Sequence, residues 1–157
     1  MKKAISKLFL SAIVLLGVFS TTAIPVKAAT QYNFAVTSSA KGIDNRGDQV
    51  GVLPIGSTWK ASGVMTGTND NPDYLYTVAP NQFVSAKDGY LYLPQNQVVK
   101  TSSTQMVHLY DHTGKEIGNR ALGPNTLWRS DRIMFMNKMT YYRVATDEFA
   151  VLVTPAN

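Results

Sequence analysis

The stretch Leu122-Gly123-Pro124-Asn125-Thr126-Leu127-Trp128-Arg129 is a variant of Leu53-Pro54-Ile55-Gly56-Ser57-Thr58-Trp59-Lys60, displaced by 128 − 59 = 69 positions. Two further blocks recur in the same order. Asp44, Gly47, Val50 and Gly51 precede the first copy as Asp111, Gly114, Ile117 and Gly118 precede the second. Tyr76-Thr77-Val78-Ala79 with Phe83 follows the first as Tyr142-Arg143-Val144-Ala145 with Phe149 follows the second. Their offsets, 67 and 66, differ slightly from that of the tryptophan block, as expected where hairpin turns change length. Three blocks in one order indicate a duplicated unit. The reading places repeat one over 40–88 and repeat two over 107–157. Residues 29–39 form a lead-in, and 89–106 form a connector ending in Thr101-Ser102-Ser103-Thr104.

Each unit reads as strands and turns. Asp44-Asn45-Arg46-Gly47-Asp48 and Asp111-His112-Thr113-Gly114-Lys115 are turn sequences, because Asp and Asn bond locally and Gly accepts positive φ. Ser57–Met65 and Thr126–Met136 are β-prone. Asn69-Asp70-Asn71-Pro72-Asp73 and Met136-Asn137-Lys138 turn the chain, and Tyr74–Ala79 and Thr140–Ala145 return it. Gln82–Ala86 and Glu148–Val153 close the units. No window of a dozen residues carries a helical period. The expectation is all-β: two small tandem β-sandwich or SH3-like barrel repeats. A unit of about fifty residues is marginal alone, so the two are expected to pack together or share strands.

Alternation assigns faces. Trp128, Tyr142, Val144 and Phe149 are expected in the core of repeat two, and Trp59, Tyr76, Val78 and Phe83 in that of repeat one. Tyr141 and Arg143 fall on the opposite, charged face, with Arg129 and Asp131.

Lys2, Lys3 and Lys7 precede the apolar run Leu8–Phe19, and Val26-Lys27-Ala28 follows Pro25. The run is too short to span a bilayer, which needs roughly 20 residues. The order is that of an export signal, residues 1–28, cut after Ala28. The signal removes four of the fifteen basic residues and none of the ten acidic ones, so eleven face ten in the remainder. Nearly neutral, it lacks the field of a nucleic-acid binder. It holds no second apolar run of membrane length and is expected to be secreted. With 45% hydrophobic and 16% charged residues the full chain has a folding composition. Cysteine is absent, which excludes disulfides and thiol chemistry. There is no nucleophile elbow, and His108 and His112 stand outside any zinc motif, so neither an enzyme nor a cofactor or metal is expected.

The order Tyr110-Asp111-x-x-Gly114-Lys115, Leu122, Trp128-Arg129 and Tyr141-Tyr142-Arg143-Val144 resembles the bacterial surface layer protein A domain family of lactobacilli, whose tandem repeats carry Y-D-x-x-G-K, L-x-x-G-x-x-W-K and Y-Y-x-V blocks. Repeat two matches better. In repeat one Ile43 stands where the turn tyrosine would be, and Leu75 precedes Tyr76. The resemblance implies a protein at the cell surface of a Gram-positive bacterium. It would be held non-covalently by cell-wall polysaccharide, with teichoic acid as ligand and surface-layer proteins as further partners.

Teichoic acids are polyphosphates, so contacts should come from Lys and Arg. Repeat two carries Arg120, Arg129, Arg132 and Arg143, four of the five arginines beyond the signal. Arginine holds phosphate through paired hydrogen bonds. Arg129, Arg143, Lys138 and Arg132 are the expected phosphate patch, with Tyr141 beside it. The competing reading makes them ordinary strand charges paired with Asp131 and Glu148. A different function, an adhesin or inhibitor of a protein partner, would use an exposed β edge or the tyrosines of Tyr90-Leu91-Tyr92-Leu93, although that segment alternates cleanly and reads in preference as a closing strand of repeat one.

Overall fold

The computed structural model describes residues 30–66, 74–151 and 153–156. The expected signal and the Asn69–Asp73 turn lie outside the described residues. The described chain is all-β and antiparallel, with no α-helix and one short 3-10 turn at Ala86–Asp88. Its strands are β1 (Tyr32–Val36), β2 (Ala40–Ile43), β3 (Gln49–Leu53), β4 (Thr58–Ala61), β5 (Gly63–Thr66), β6 (Tyr74–Ala79) and β7 (Gln82–Ser85). They continue as β8 (Gly89–Lys100), β9 (Val107–Tyr110), β10 (Glu116–Leu122), β11 (Leu127–Met136), β12 (Met139–Ala145), β13 (Glu148–Ala150) and β14 (Thr154–Pro155).

One sheet runs β3-β2-β7-β6-β5. The other runs β10-β9-β13-β12-β11-β8-β1-β4, with β14 also on β8. Two segments expected outside the units are therefore strands. The lead-in supplies β1, and most of the connector is β8. The first part of β8 (Gly89–Tyr92) pairs with β1, and the part from Leu93 to Lys100 pairs with β11. The strand passes Pro94 because the register shifts there, between the Arg132–Pro94 and Ser130–Gln97 pairs.

Local contacts recur around the two tryptophans. Trp59 Nε1 donates to Ser57 Oγ at 2.9 Å, and Ser57 Oγ donates to the Pro54 carbonyl at 2.6 Å. Trp128 Nε1 donates to Thr126 Oγ1 at 2.8 Å, and Thr126 Oγ1 to the Gly123 carbonyl at 2.8 Å. The aspartate turns also agree. Asp44 Oδ1 accepts from the amides of Arg46 and Asp48, and Asp111 Oδ1 from those of Thr113 and Lys115. Gly47 and Gly114 hold φ of 91° and 84°, a region open to glycine.

Three apolar clusters form. The first holds Phe34, Val36, Ala40, Leu53, Val78 and Val84, with Trp59 and Tyr76 packed against it. The second holds Val99, Val107, Leu109, Leu122, Ala150 and Val153, with Trp128, Tyr142 and Val144 packed against it. The third, on the other face of β12 and β13, joins Met134, Tyr141, Phe149 and Val151 to Tyr90 and Tyr110. Phe149 thus belongs to a different face from Tyr142. The side chain that completes the expected set is Ala150, and in the first half it is Val84 rather than the half-buried Phe83.

Candidate functional site

The cationic residues of the second half are brought together by β11 and β12. Ile133 pairs with Tyr142, which sets Arg132 beside Arg143 across the two strands. Both guanidiniums converge on Asp131. Arg143 Nε donates to Asp131 Oδ1 at 2.8 Å, and its Nη2 bonds Oδ2. Arg132 donates to Oδ2 from Nε at 3.3 Å and from Nη2 at 3.1 Å. Arg132 also donates from Nη1 to the Tyr90 hydroxyl at 3.3 Å, and its Cζ lies 4.1 Å from the Tyr92 ring centroid, a cation–π contact. Its side chain is only 12% exposed. Strict alternation would separate Arg132 from Asp131. The register shift between Ser130 and Arg132 changes the phase and lets both serve one cluster.

Burial pushes the Asp131 carboxyl up, but hydrogen bonds and charges from Arg143 and Arg132 outweigh it, so its pKa lies below the ordinary aspartate value. Burial dominates at Tyr90 and raises its phenol, against the opposing pull of Arg132. Tyr90 therefore stays a neutral donor and acceptor. It is held by an edge-on contact with Phe149 (5.5 Å between centroids) and by stacking on His112 (5.6 Å). His112 is fixed in turn by Asp147, whose Oδ1 lies 2.8 Å from Nδ1 and accepts the His112 amide at 3.0 Å.

Tyr90, Arg132, Arg143 and Asp147 border a cleft of about 240 Å³. One wall is Tyr90, Arg132, Arg143, Thr146 and Asp147; the other comes from β1 and the turn before β4, including Val36, Ile55, Gly56 and Thr58. Arg143 and Thr146 also line a neighbouring shallow depression with Arg129 and Asp131.

Of the five residues expected at a ligand site, Arg129, Arg132 and Arg143 fall within this region. Arg129 is exposed and pairs across the strands with Val98. Lys138 does not join them. It occupies the tight turn between β11 and β12 with φ of 64°, just before β12 and five residues ahead of Arg143, or roughly 16 Å at strand rise. Tyr141 is corrected outright. It is 5% exposed, edge-on to Tyr110 at 5.8 Å, inside the third cluster, and offers no ring to a ligand. The sheet is buried on both faces there, so the face opposite Tyr142 is a second core. Pairing with Asp131 holds for Arg132 and Arg143, while Glu148 pairs with Arg120. Tyr90, Tyr92 and Asp147 were not expected at the site. The Tyr90–Leu93 segment is committed to the fold through β1 and β11 and is not a free aromatic edge.

His108 projects outward between buried Val107 and Leu109, with Nδ1 2.8 Å from Glu116 Oε1. Among the described residues no helix is long and apolar enough to cross a membrane. Compared with models of protein families and with the sequences of curated proteins, the chain matches none.

Proposed function

We propose that this is a secreted, non-catalytic wall-binding protein of the surface-layer type, attached non-covalently to an anionic wall polymer such as teichoic acid. The observation that carries the reading is the pair of guanidiniums, Arg132 and Arg143, sharing the single carboxylate of Asp131 at the rim of a cleft. Arginine pairs suit phosphate because the planar fork matches two oxygens at once. Recurrence of the tryptophan hydrogen bonds and of the aspartate turns supports a duplicated module of the kind the sequence blocks resemble.

The test is co-sedimentation of residues 29–157 with protein-stripped cell walls, before and after chemical removal of teichoic acid. Binding should fall with that removal, and should weaken steadily with salt as counterion release requires. Equal capture by both wall preparations would overturn the reading.

A second reading, an adhesin or inhibitor with a protein partner, has one observation in its favour. β3 ends its sheet and exposes Val50 and Val52 by 51% and 58%. A strand edge of this kind can accept another strand. Under that reading, capture would need a protein and would survive salt.

A further inference from the structure

The duplication would lead one to expect one ligand site per unit. The charges are not duplicated. Positions 62, 63 and 77, at the offsets of the repeated blocks from Asp131, Arg132 and Arg143, hold Ser62, Gly63 and Thr77. There the first half closes its strands with backbone alone, the Ser62 amide donating to the Thr77 carbonyl at 3.0 Å. His112 and Asp147 correspond to Asn45 and Asn81, which repeat the amide-to-side-chain bond at 3.2 Å without charge.

We propose that the cleft between the Ile55-Gly56 turn and the Arg132–Arg143 pair is a single phosphodiester-binding site per chain, built by both halves but charged by only one. This rests on the wall-binding reading and deepens it. Two guanidiniums carry ten N–H donors between them. Asp131 and the Tyr90 hydroxyl engage five of these: three from Arg132 and two from Arg143. Arg132 and Arg143 both line the cleft, and Thr146 lines it with them. Asp147, the carboxylate that lines the cleft, is drawn to the amide and ring of His112. Two partly buried cations facing one shared carboxylate favour a further anion. Ile55, exposed on the turn before β4, supplies an apolar face opposite, against which the carbon chain of a polyol can lie. A phosphodiester flanked by short polyol arms combines that charge with that shape. Arg143 and Thr146, shared with the adjoining depression that Arg129 lines, provide the exit for a polymer continuing beyond the cleft.

The experiment is an amide-resolved NMR titration of residues 29–157 with glycerophosphoglycerol, with glycerol as the uncharged control, alongside wall co-sedimentation. Saturable shifts should appear at Gly56, Tyr90 and Thr146, with one site per chain and none with glycerol. Arg143→Gln should weaken binding about tenfold or more, because it removes one of the two forks. Lys60→Gln, the position in the first half matching Arg129, should change it less than twofold. Arg132→Lys keeps the charge but loses the fork, and serves as the second variant should Arg143→Gln fail to fold; it should also weaken binding. Two equivalent sites, or unchanged affinity in a folded Arg143→Gln or Arg132→Lys protein, would overturn the proposal. Walls captured without any phosphodiester shift would refute the cleft and spare the wall reading. Phosphodiester bound in the cleft by a protein that ignores walls would do the reverse.

Discussion

Replacing Thr126 with Val separates the hydrogen-bonding role of that side chain from its shape, since the two are nearly isosteric and no cavity is opened. In the native protein Thr126 Oγ1 accepts from Trp128 Nε1 at 2.8 Å, donates to the Gly123 carbonyl at 2.8 Å and lies 3.2 Å from Thr101 Oγ1. Valine leaves the half-buried indole N–H without its acceptor, which costs about 1–3 kcal/mol. The Gly123 carbonyl keeps Thr101 Oγ1 at 2.8 Å, so that loss adds only about 0.5–1 kcal/mol. The expected total is about 1.5–4 kcal/mol. Ser57→Ala makes the corresponding change in the first half and strips the half-buried Trp59 indole of its acceptor, again about 1–3 kcal/mol, but the bond from Ser57 to Pro54 is exposed and water can replace it, so nothing further is added. Urea unfolding measures both, with the midpoint moving and the slope unchanged. A loss under about 0.5 kcal/mol for Thr126→Val, or equal losses for the two variants, would refute the claim that burial around Thr101 makes the second hydrogen-bond chain the stronger.

Gly89→Ala should destabilise by at least about 1–3 kcal/mol, the usual cost of overpacking, because a Cβ there would run into the Ala35 carbonyl oxygen and the Phe34 ring; thermal melting reads it, and a wild-type Tm would count against the close approach of β8 to β1. Tyr141→Ala should cost about 3–5 kcal/mol as a core truncation. Its folded fraction should still bind walls, which separates it from Arg143→Gln in the same co-sedimentation assay. Asp131 and Asp111 both have pKa values lowered from 3.8, net of a burial effect that acts the other way. Their stabilisation is therefore fully present above that value and is lost as pH falls through the lower folded values; Asp131→Asn should flatten this acid limb in melts recorded between about pH 5 and pH 2.

The tryptophan blocks and aspartate turns were legible because each depends on a few residues whose local chemistry admits little else. An indole needs an acceptor two residues back, and an aspartate turn needs glycine at its positive-φ position. β8 was legible only at its start, where the alternation of Tyr90-Leu91-Tyr92-Leu93 marks a closing strand of the first unit. Pro94 and the polar run Gln95-Asn96-Gln97 look like a linker, and only pairing with distant β11 makes them a strand. Tyr141 was misplaced because alternation distinguishes two faces but does not say that one of them is solvent. The arginine cluster was half legible. Arg143 and Arg129 fell on the expected side, while Arg132 reached them through a register shift that no local pattern announces. Tyr90 and Asp147 carry no signal in their own neighbourhoods, because they join the cleft from remote stretches of chain.

The strand shared by both halves also carries force between them. Because Gly89–Tyr92 belongs to the first half's pairing and Leu93–Lys100 to the second's, no free linker lets one half swing against the other. A pull on one half is therefore passed to the other along a single continuous strand and resisted by the ladders it makes with β1 and β11, with no slack tether between them to take it up.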